Sequence, residues 1–111
     1  MSRMNKMDVL GLLQEHGAVA SGHFRLASGL HTPVYLQPAL VLQYPHVAQK
    51  VAKAIASKFL GAVDVVISTG MSSVVLGQEV ARAKKSRAIF TERVGGSMAF
   101  RRDFRLERGE R

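Results

Sequence analysis

The chain has 111 residues, 47% of them apolar, which suits one globular domain with a single hydrophobic core and argues against disorder. It contains no cysteine, so a disulfide framework, a thiol nucleophile and a thiolate metal site are excluded, and a cytoplasmic location is expected. Sixteen Lys and Arg against eight Asp and Glu give a net charge of +8, which points to nucleic acid, an anionic membrane or a small polyanionic substrate.

The opening "MSRMNKMDVLGLLQEHG" is charged, and Asp8, Gln14 and Glu15 interrupt its short apolar stretch. It does not read as a signal peptide, and no segment approaches the roughly 20 apolar residues that span a bilayer. Over residues 7–16, Met7, Leu10 and Leu13 share a broad helical face with Val9 and Leu12, and Gly17 stands where a helix ends in a left-handed residue. "GHFRLASG" (22–29) alternates Phe24 and Leu26 with polar neighbours, which predicts a short strand and a turn. "TPVYLQPALVL" (32–42) is rich in β-formers, but Pro33 and Pro38 confine it to an edge strand or an extended segment.

Pro45 opens the clearest helix, with Val47, Val51, Ile55 and Phe59 four residues apart, flanked by Ala48, Ala52 and Ala56, and Gly61 as its stop. "VDVVIS" (63–68) predicts a strand buried on both faces of a parallel sheet. A small-residue turn follows, then a helix from Val74 to about Ala83, then a strand "RAIFTER" (87–93). Gly95 and Gly96 precede a β-like stretch from Met98 to Leu106, with Met98 and Phe100 assigned to the core. Helix, strand, helix, strand with brief connections predicts right-handed βαβ units on a parallel sheet.

Two segments have the chemistry of an anion site. In "VVISTGMSSVVLGQEVARA" (65–83) a buried strand runs through Thr69, Gly70, Met71, Ser72 and Ser73 into a helix N-terminus. Free N–H groups there favour an anion at the carboxyl end of the sheet. The plainer reading is that Ser72 or Ser73 only caps the helix. Without Gly-Lys-Ser/Thr the segment is not a P-loop. In "FTERVGGSMAFRR" (90–102) a strand delivers Arg93, and Arg101 and Arg102 return after the glycines. That suits a mobile lid neutralising phosphate, or else a hairpin with a loose Gly-Gly-Ser tip.

The remaining candidates are weaker. The basic run "RAKKSR" (82–87) holds no aromatic residue and reads as a solvated face rather than a nucleic-acid platform. The four histidines, His16, His23, His31 and His46, lack metal-ligand spacing, and His23 and His46 read as surface residues. Asp64 is expected to make a local turn contact. The end "RRDFRLERGER" reads as a polar turn approaching a further apolar strand.

"GHFRLASGLHTPVYLQPALVL", Pro45 opening a helix, "VVISTGMSSVVLGQEVARA" and "RAIFTERVGGSMAFRRDFRLERGER" together resemble the first part of an orotate phosphoribosyltransferase, from about residue 7 to 111. The resemblance implies an α/β, parallel-sheet phosphoribosyltransferase-type fold, incomplete at the C-terminus, with a small N-terminal α+β subdomain. Residues 1–111 then form a single domain, 1–42 as a substrate hood and 43–111 as a partial α/β core. The implied reaction transfers ribose 5-phosphate from phosphoribosyl pyrophosphate (PRPP) to orotate with Mg²⁺, in a cytoplasmic homodimer.

By the same resemblance Tyr35 and Leu36 lie against the orotate ring, and Thr69, Gly70, Met71, Ser72 and Ser73 cradle pyrophosphate. Arg93 is the catalytic candidate, approaching pyrophosphate across a dimer interface, with Arg101 and Arg102 as lesser ones. Ala27 stands where many members carry Lys, and Ser72 and Ser73 stand where the family turn carries small glycines. The lysines and histidine of the family's mobile loop have no counterparts between Arg93 and Arg101. The acidic Thr-Thr-Gly signature for PRPP is expected just after Arg111, so the 111 residues alone are expected to have little activity. Two rival readings are a non-catalytic anion-binding or regulatory protein of the same fold, and a basic nucleic-acid-binding module. No nucleic-acid-reading motif supports the second.

Overall fold

A Schellman turn ends the first helix and starts the core. In the computed structural model, which describes residues 6–111, α1 spans Lys6–Glu15. The side chains of Lys6, Met7 and Ser72 lie outside the described residues, and so does Met7's expected place on the apolar face. Gly17 takes φ +67, its N–H donates to the Gln14 carbonyl at 3.1 Å, and the Ala18 N–H donates to Leu13 at 2.8 Å. A side chain would be strained at that φ, and the two bonds satisfy carbonyls the helix leaves open. Ala18 is thereby buried beside Val41 and Val47, with Leu12, Leu13 and Val51 packed around them.

Strands β1 (Val19–Arg25) and β2 (His31–Leu36) form a two-stranded antiparallel sheet. Pairing jumps from Ser21↔Val34 to Phe24↔Thr32, so Gly22 and His23 face Pro33 alone. The bulge falls opposite the residue that has no N–H to offer the ladder. The extended segment expected over 32–42 ends at Leu36. Pro38 takes φ −60 and starts the short helix α2 (Ala39–Leu42), because its ring presets the helical angle.

Helix α3 (Pro45–Ala56) begins at Pro45 as expected, yet it stops at Ala56 rather than running to Gly61. Its buried stripe is Val47, Ala48, Ala52 and Ala56, while Phe59 lies beyond the helix and is 53% exposed. The small alanines let a neighbouring helix approach closely, and that neighbour is α4 (Val74–Lys84).

Strand β3 (Val65–Thr69), a 3₁₀ turn (Met71–Ser73), α4 and β4 (Arg87–Val94) form the expected parallel βαβ unit, paired from Val65↔Arg87 to Thr69↔Thr91. Strand β5 (Ser97–Ala99) then pairs antiparallel with β4, giving the order β3-β4-β5. One expectation is corrected here: β3 is an edge strand whose Ile67 is 43% exposed rather than buried on both faces. Met98 likewise sits on the surface.

The β-like stretch ends at Ala99, and the following residues fold back irregularly along the sheet. The Phe104 ring meets Phe90 edge-on at 5.1 Å. Arg87 clamps the Glu110 carboxylate at 2.9 and 3.1 Å. A turn forms at 107–110, as the polar run predicted, through Glu110 N–H to Glu107 carbonyl at 3.2 Å. Asp64, expected to act locally, instead accepts the Arg111 N–H at 3.0 Å across the chain.

Gly77 sets how α4 sits on β3. A Cβ built there would fall 1.9 Å from the Ser68 Oγ and 3.3 Å from its Cβ. Ser68 is 6% exposed and donates to the Ser73 carbonyl at 3.1 Å, so it cannot retreat without losing that bond. Gly77→Ala is expected to destabilise the chain by about 1–3 kcal/mol through overpacking, read as a lower urea midpoint at unchanged slope. Ser68→Ala in that background should recover part of the loss.

Glu110 gives a pH prediction. The Glu107 N–H bonded to its carboxylate, and then Arg87, hold Glu110 below the usual carboxylate range against the opposing effect of burial. A lowered native pKa means a stabilising contact that is intact above the ordinary carboxylate range and lost as pH falls through the lowered value. The protection factor of the Glu107 amide, which divides out the intrinsic exchange rate, should therefore fall as pH drops through the lowered value, and Glu110→Gln should remove that acid dependence.

Candidate anion site at the carboxyl end of the sheet

Parallel pairing brings the carboxyl ends of β3 and β4 side by side. The Gly70 N–H donates to the Thr91 carbonyl at 3.1 Å, and the Thr91 hydroxyl donates to the Ser68 carbonyl at 3.4 Å. Gly70 then turns the chain at φ 88, ψ 167, a backbone region open mainly to glycine. Thr69 and Met71 are exposed on either side of it, Met71 to 90%.

Ser73 occupies the N-cap position of α4 but does not cap it. Its hydroxyl points back, donating to the Thr69 carbonyl at 3.3 Å and to Gly70 at 3.1 Å. Among the described residues no side chain caps the first turn of α4. The expected capping role is corrected for Ser73, and the Ser72 side chain lies outside the described residues. The Ser73 N–H donates to the Gly70 carbonyl at 3.4 Å and the Val74 N–H to the Met71 carbonyl. These first donors are engaged within the 3₁₀ turn, so what the turn can offer an anion is the positive end of the α4 dipole.

Of the two readings for residues 90–102, the structure adopts the hairpin. Val94↔Ser97 and Arg93↔Met98 pair across Gly95 and Gly96, whose φ values are 55 and 85. Both central residues at positive φ make the two-residue turn that matches strand twist. Arg93 is exposed and donates to the Gly96 carbonyl at 3.2 Å. The hairpin and the turn after β3 meet: a Cβ on Gly70 would be 4.0 Å from the Met98 methyl carbon.

The other candidates divide. Arg102 is paired with Glu92 at 3.2 and 3.3 Å and lies 5.6 Å over the Phe90 ring, while Arg101 is exposed. Tyr35 and Leu36 belong to the other sheet, with the Tyr35 ring 5.6 Å from Phe24. Among the described residues no hydrogen bond or ring contact joins either of them to residues 69–73.

The basic run is largely engaged within the molecule. Arg82 pairs with Glu79 at 3.3 Å, and Arg87 holds Glu110. Lys84 donates to the Phe59 and Gly61 carbonyls at 2.6 and 2.8 Å. Lys85 takes the left-handed position that ends α4.

Sequence reading missed the pairing of His23 with His31, whose ring nitrogens lie 2.5 Å apart on the exposed hairpin. The bulge at Gly22 brings them together, and only the strand register could have revealed it.

No family profile matches the chain. Individual relatives do. It is 42% identical over 109 residues to the orotate phosphoribosyltransferase of Pelotomaculum thermopropionicum, covering 97% of this chain and 57% of that protein. The enzyme of Nitratiruptor sp. is 44% identical over 108 residues, covering 95% of this chain and 54% of its own length. The chain belongs to the orotate phosphoribosyltransferase family. It spans a little over half the length of these curated relatives.

Solved structures agree on the fold of the family. UMP synthase of Leishmania donovani matches with a TM-score of 0.74 at 15% identity, over 97% of this chain and 24% of that one. Orotate phosphoribosyltransferase of Aeropyrum pernix matches at 0.65 and 21% identity, over 86% of this chain and 58% of that one. The predicted phosphoribosyltransferase-type α/β fold is therefore found.

Replacing Gly70 by Ala should cost about 1–3 kcal/mol, because the turn's backbone angles exclude a Cβ while the neighbouring space does not. The measurable outcome is a lower melting temperature together with shifted amide signals at Ser73 and Val74.

Proposed function

We propose that this chain acts in phosphoribosyl transfer to orotate, with the turn at residues 69–73 holding the pyrophosphate of PRPP. The observation that carries the reading is the meeting of two elements at one end of the sheet. They are the turn that opens α4, at the positive end of the helix dipole, and a hairpin bearing Arg93, in a chain of this family. The leaving pyrophosphate accumulates negative charge as the bond to the anomeric carbon breaks. Fixed N–H dipoles and a guanidinium placed beforehand stabilise that charge without reorganising.

In this reading Thr69, Gly70, Met71, Ser72 and Ser73 supply the cradle and Arg93 closes on it. The paired Arg102 contributes less than Arg93, since Glu92 already neutralises it. Tyr35 and Leu36 offer an exposed aromatic and apolar surface for the orotate ring. Mg²⁺ would arrive on the PRPP oxygens. Among the described residues no group of three or more His, Asp or Glu side chains is placed to hold a metal, so no step is assigned to it. The family relationship also supports a cytoplasmic homodimer in which Arg93 serves the neighbouring site. Among the described residues no helix is long and apolar enough to cross a membrane.

Titration of the isotope-labelled chain with pyrophosphate tests the cradle. Amide signals of Gly70, Met71, Ser73 and Val74 should move together, and Arg93→Ala should weaken binding about tenfold, ~1.4 kcal/mol. Shifts scattered over exposed lysines and arginines, with the turn unaffected, would refute the reading. With PRPP, Mg²⁺ and orotate, the 111 residues alone should consume almost no orotate by absorbance.

A further inference from the structure

The bulge in β1 places two imidazoles against each other that lie eight residues apart in the chain. Pairing jumps from Ser21↔Val34 to Phe24↔Thr32, and Arg25 stands opposite His31. In that interval the His23 Nε2 and His31 Nδ1 face each other at 2.5 Å, with ring centroids 4.7 Å apart and planes inclined by 52°. The chain after His31 is held in place. The Thr32 hydroxyl donates to the Val34 carbonyl at 3.0 Å and accepts from the Val34 N–H at 3.3 Å, bridging Pro33, which has no N–H of its own. Both histidines are exposed, and beside them lies a cleft of about 240 Å³ lined by Gly22, His23, His31, Thr32 and Pro33.

That cleft offers imidazole nitrogen and no carboxylate. The residue paired in register with His31 is Arg25, itself a cation, so no charge attraction draws an ion here. Mg²⁺ and Ca²⁺, which want oxygen ligands, are disfavoured. Zn²⁺, Cu²⁺ and Ni²⁺ suit imidazole, which holds them through the nitrogen lone pair. Zinc–nitrogen bonds of about 2.0–2.1 Å put two tetrahedral ligands roughly 3.3 Å apart. Two exposed rings reach that separation by small side-chain rotations, with the backbone unmoved. Each facing nitrogen must present its lone pair. The ring that carries the hydrogen between them gives that proton to solvent and takes one at its outer nitrogen, so a neutral pair binds without net proton release. Two imidazoles leave two tetrahedral positions for water on the side of the cleft.

We propose that His23 and His31 form a labile transition-metal site that takes Zn²⁺, with water completing the coordination. The ion acts as a clip. Strands β1 and β2 make a sheet of two strands only, an assembly that is marginal by itself, and their ladder is interrupted at the bulge. A metal joining residue 23 to residue 31 spans that interruption and closes the strands around the turn at 26–30. It thereby steadies the strand that carries Tyr35, whose ring rests on Phe24. His16 and His46 serve as internal controls. Each meets the Tyr44 ring, at 5.4 and 6.3 Å, and the His16 Nδ1 is bonded to the Leu12 carbonyl at 2.9 Å.

The untagged full chain is titrated with Zn²⁺ alone, in buffer free of phosphate and pyrophosphate, and followed by its imidazole nitrogen and backbone amide signals. One equivalent should bind, with the His23 Nε2 and His31 Nδ1 signals moving together. Hydrogen exchange over residues 22–34 should slow about fivefold, because an ion bound only by the closed hairpin favours that state. Mg²⁺ at the same concentration should do neither. His23→Ala and His31→Ala should each weaken Zn²⁺ binding at least tenfold, while His46→Ala leaves it unchanged. Should an alanine variant lose the amide signals of β1 and β2, His31→Asn carries the same expectation, since its amide keeps a polar group near the Nδ1 position but ligates zinc poorly. Absence of saturable binding, equal Zn²⁺ affinity in the His23 and His31 variants, shifts confined to His16 or His46, or Mg²⁺ binding as well as Zn²⁺ would overturn the proposal.

Discussion

The approach of α4 to β3 at Gly77 is the contact on which the arrangement depends. With no side chain at 77, the Ser68 hydroxyl fits beneath the helix and reaches the Ser73 carbonyl. That bond ties the end of the strand to the start of the helix. Ser73 then folds its own hydroxyl back onto Thr69 and Gly70 rather than forward onto the helix. The tight turn at the head of α4 is thus tied to the packing beneath it. A residue four positions into α4 governs what the turn presents to a ligand.

A second set of contacts uses charge to hold irregular chain. The carbonyls of Phe59, Leu60, Gly61 and Ala62 accept hydrogen bonds from Lys84 or Arg111. Arg87 and Glu110 fasten the returning tail to the foot of the sheet. Hydrogen bonds from charged donors to carbonyls are stronger than neutral ones, which suits a loop with no ladder of its own. Much of the basic run that suggests a polyanion in the sequence is employed inside the molecule. Arg93, on the hairpin beside the turn, and Arg101 are exposed.

The geometry of the candidate site was legible where it depends on local order. A strand, a small-residue turn and a helix in that order announce an anion site, and the structure places the turn at the carboxyl end of β3 beside Arg93's hairpin. Its details were not legible. Serine before a helix ordinarily caps, and the reversed Ser73 hydroxyl follows from Ser68 beneath it. The choice between lid and hairpin rested on whether Gly95 and Gly96 would pair the strands around them, which Met98 opposite Arg93 decides. The His23–His31 contact required a bulge that no composition reveals.

By itself the sequence determined the first helix to within a residue, the start of α3 at Pro45, the βαβ unit around α4 and the small-residue turn after β3. It did so because helical periodicity, β-branched runs and glycine at positive φ are local constraints. The tertiary structure alone decided that β3 is an edge, that alanines and not the larger residues of α3 are buried most deeply, and that Arg111 closes on Asp64. Those outcomes depend on which surfaces meet, and a strand of the same residues is buried or exposed according to the neighbours that the whole chain brings to it.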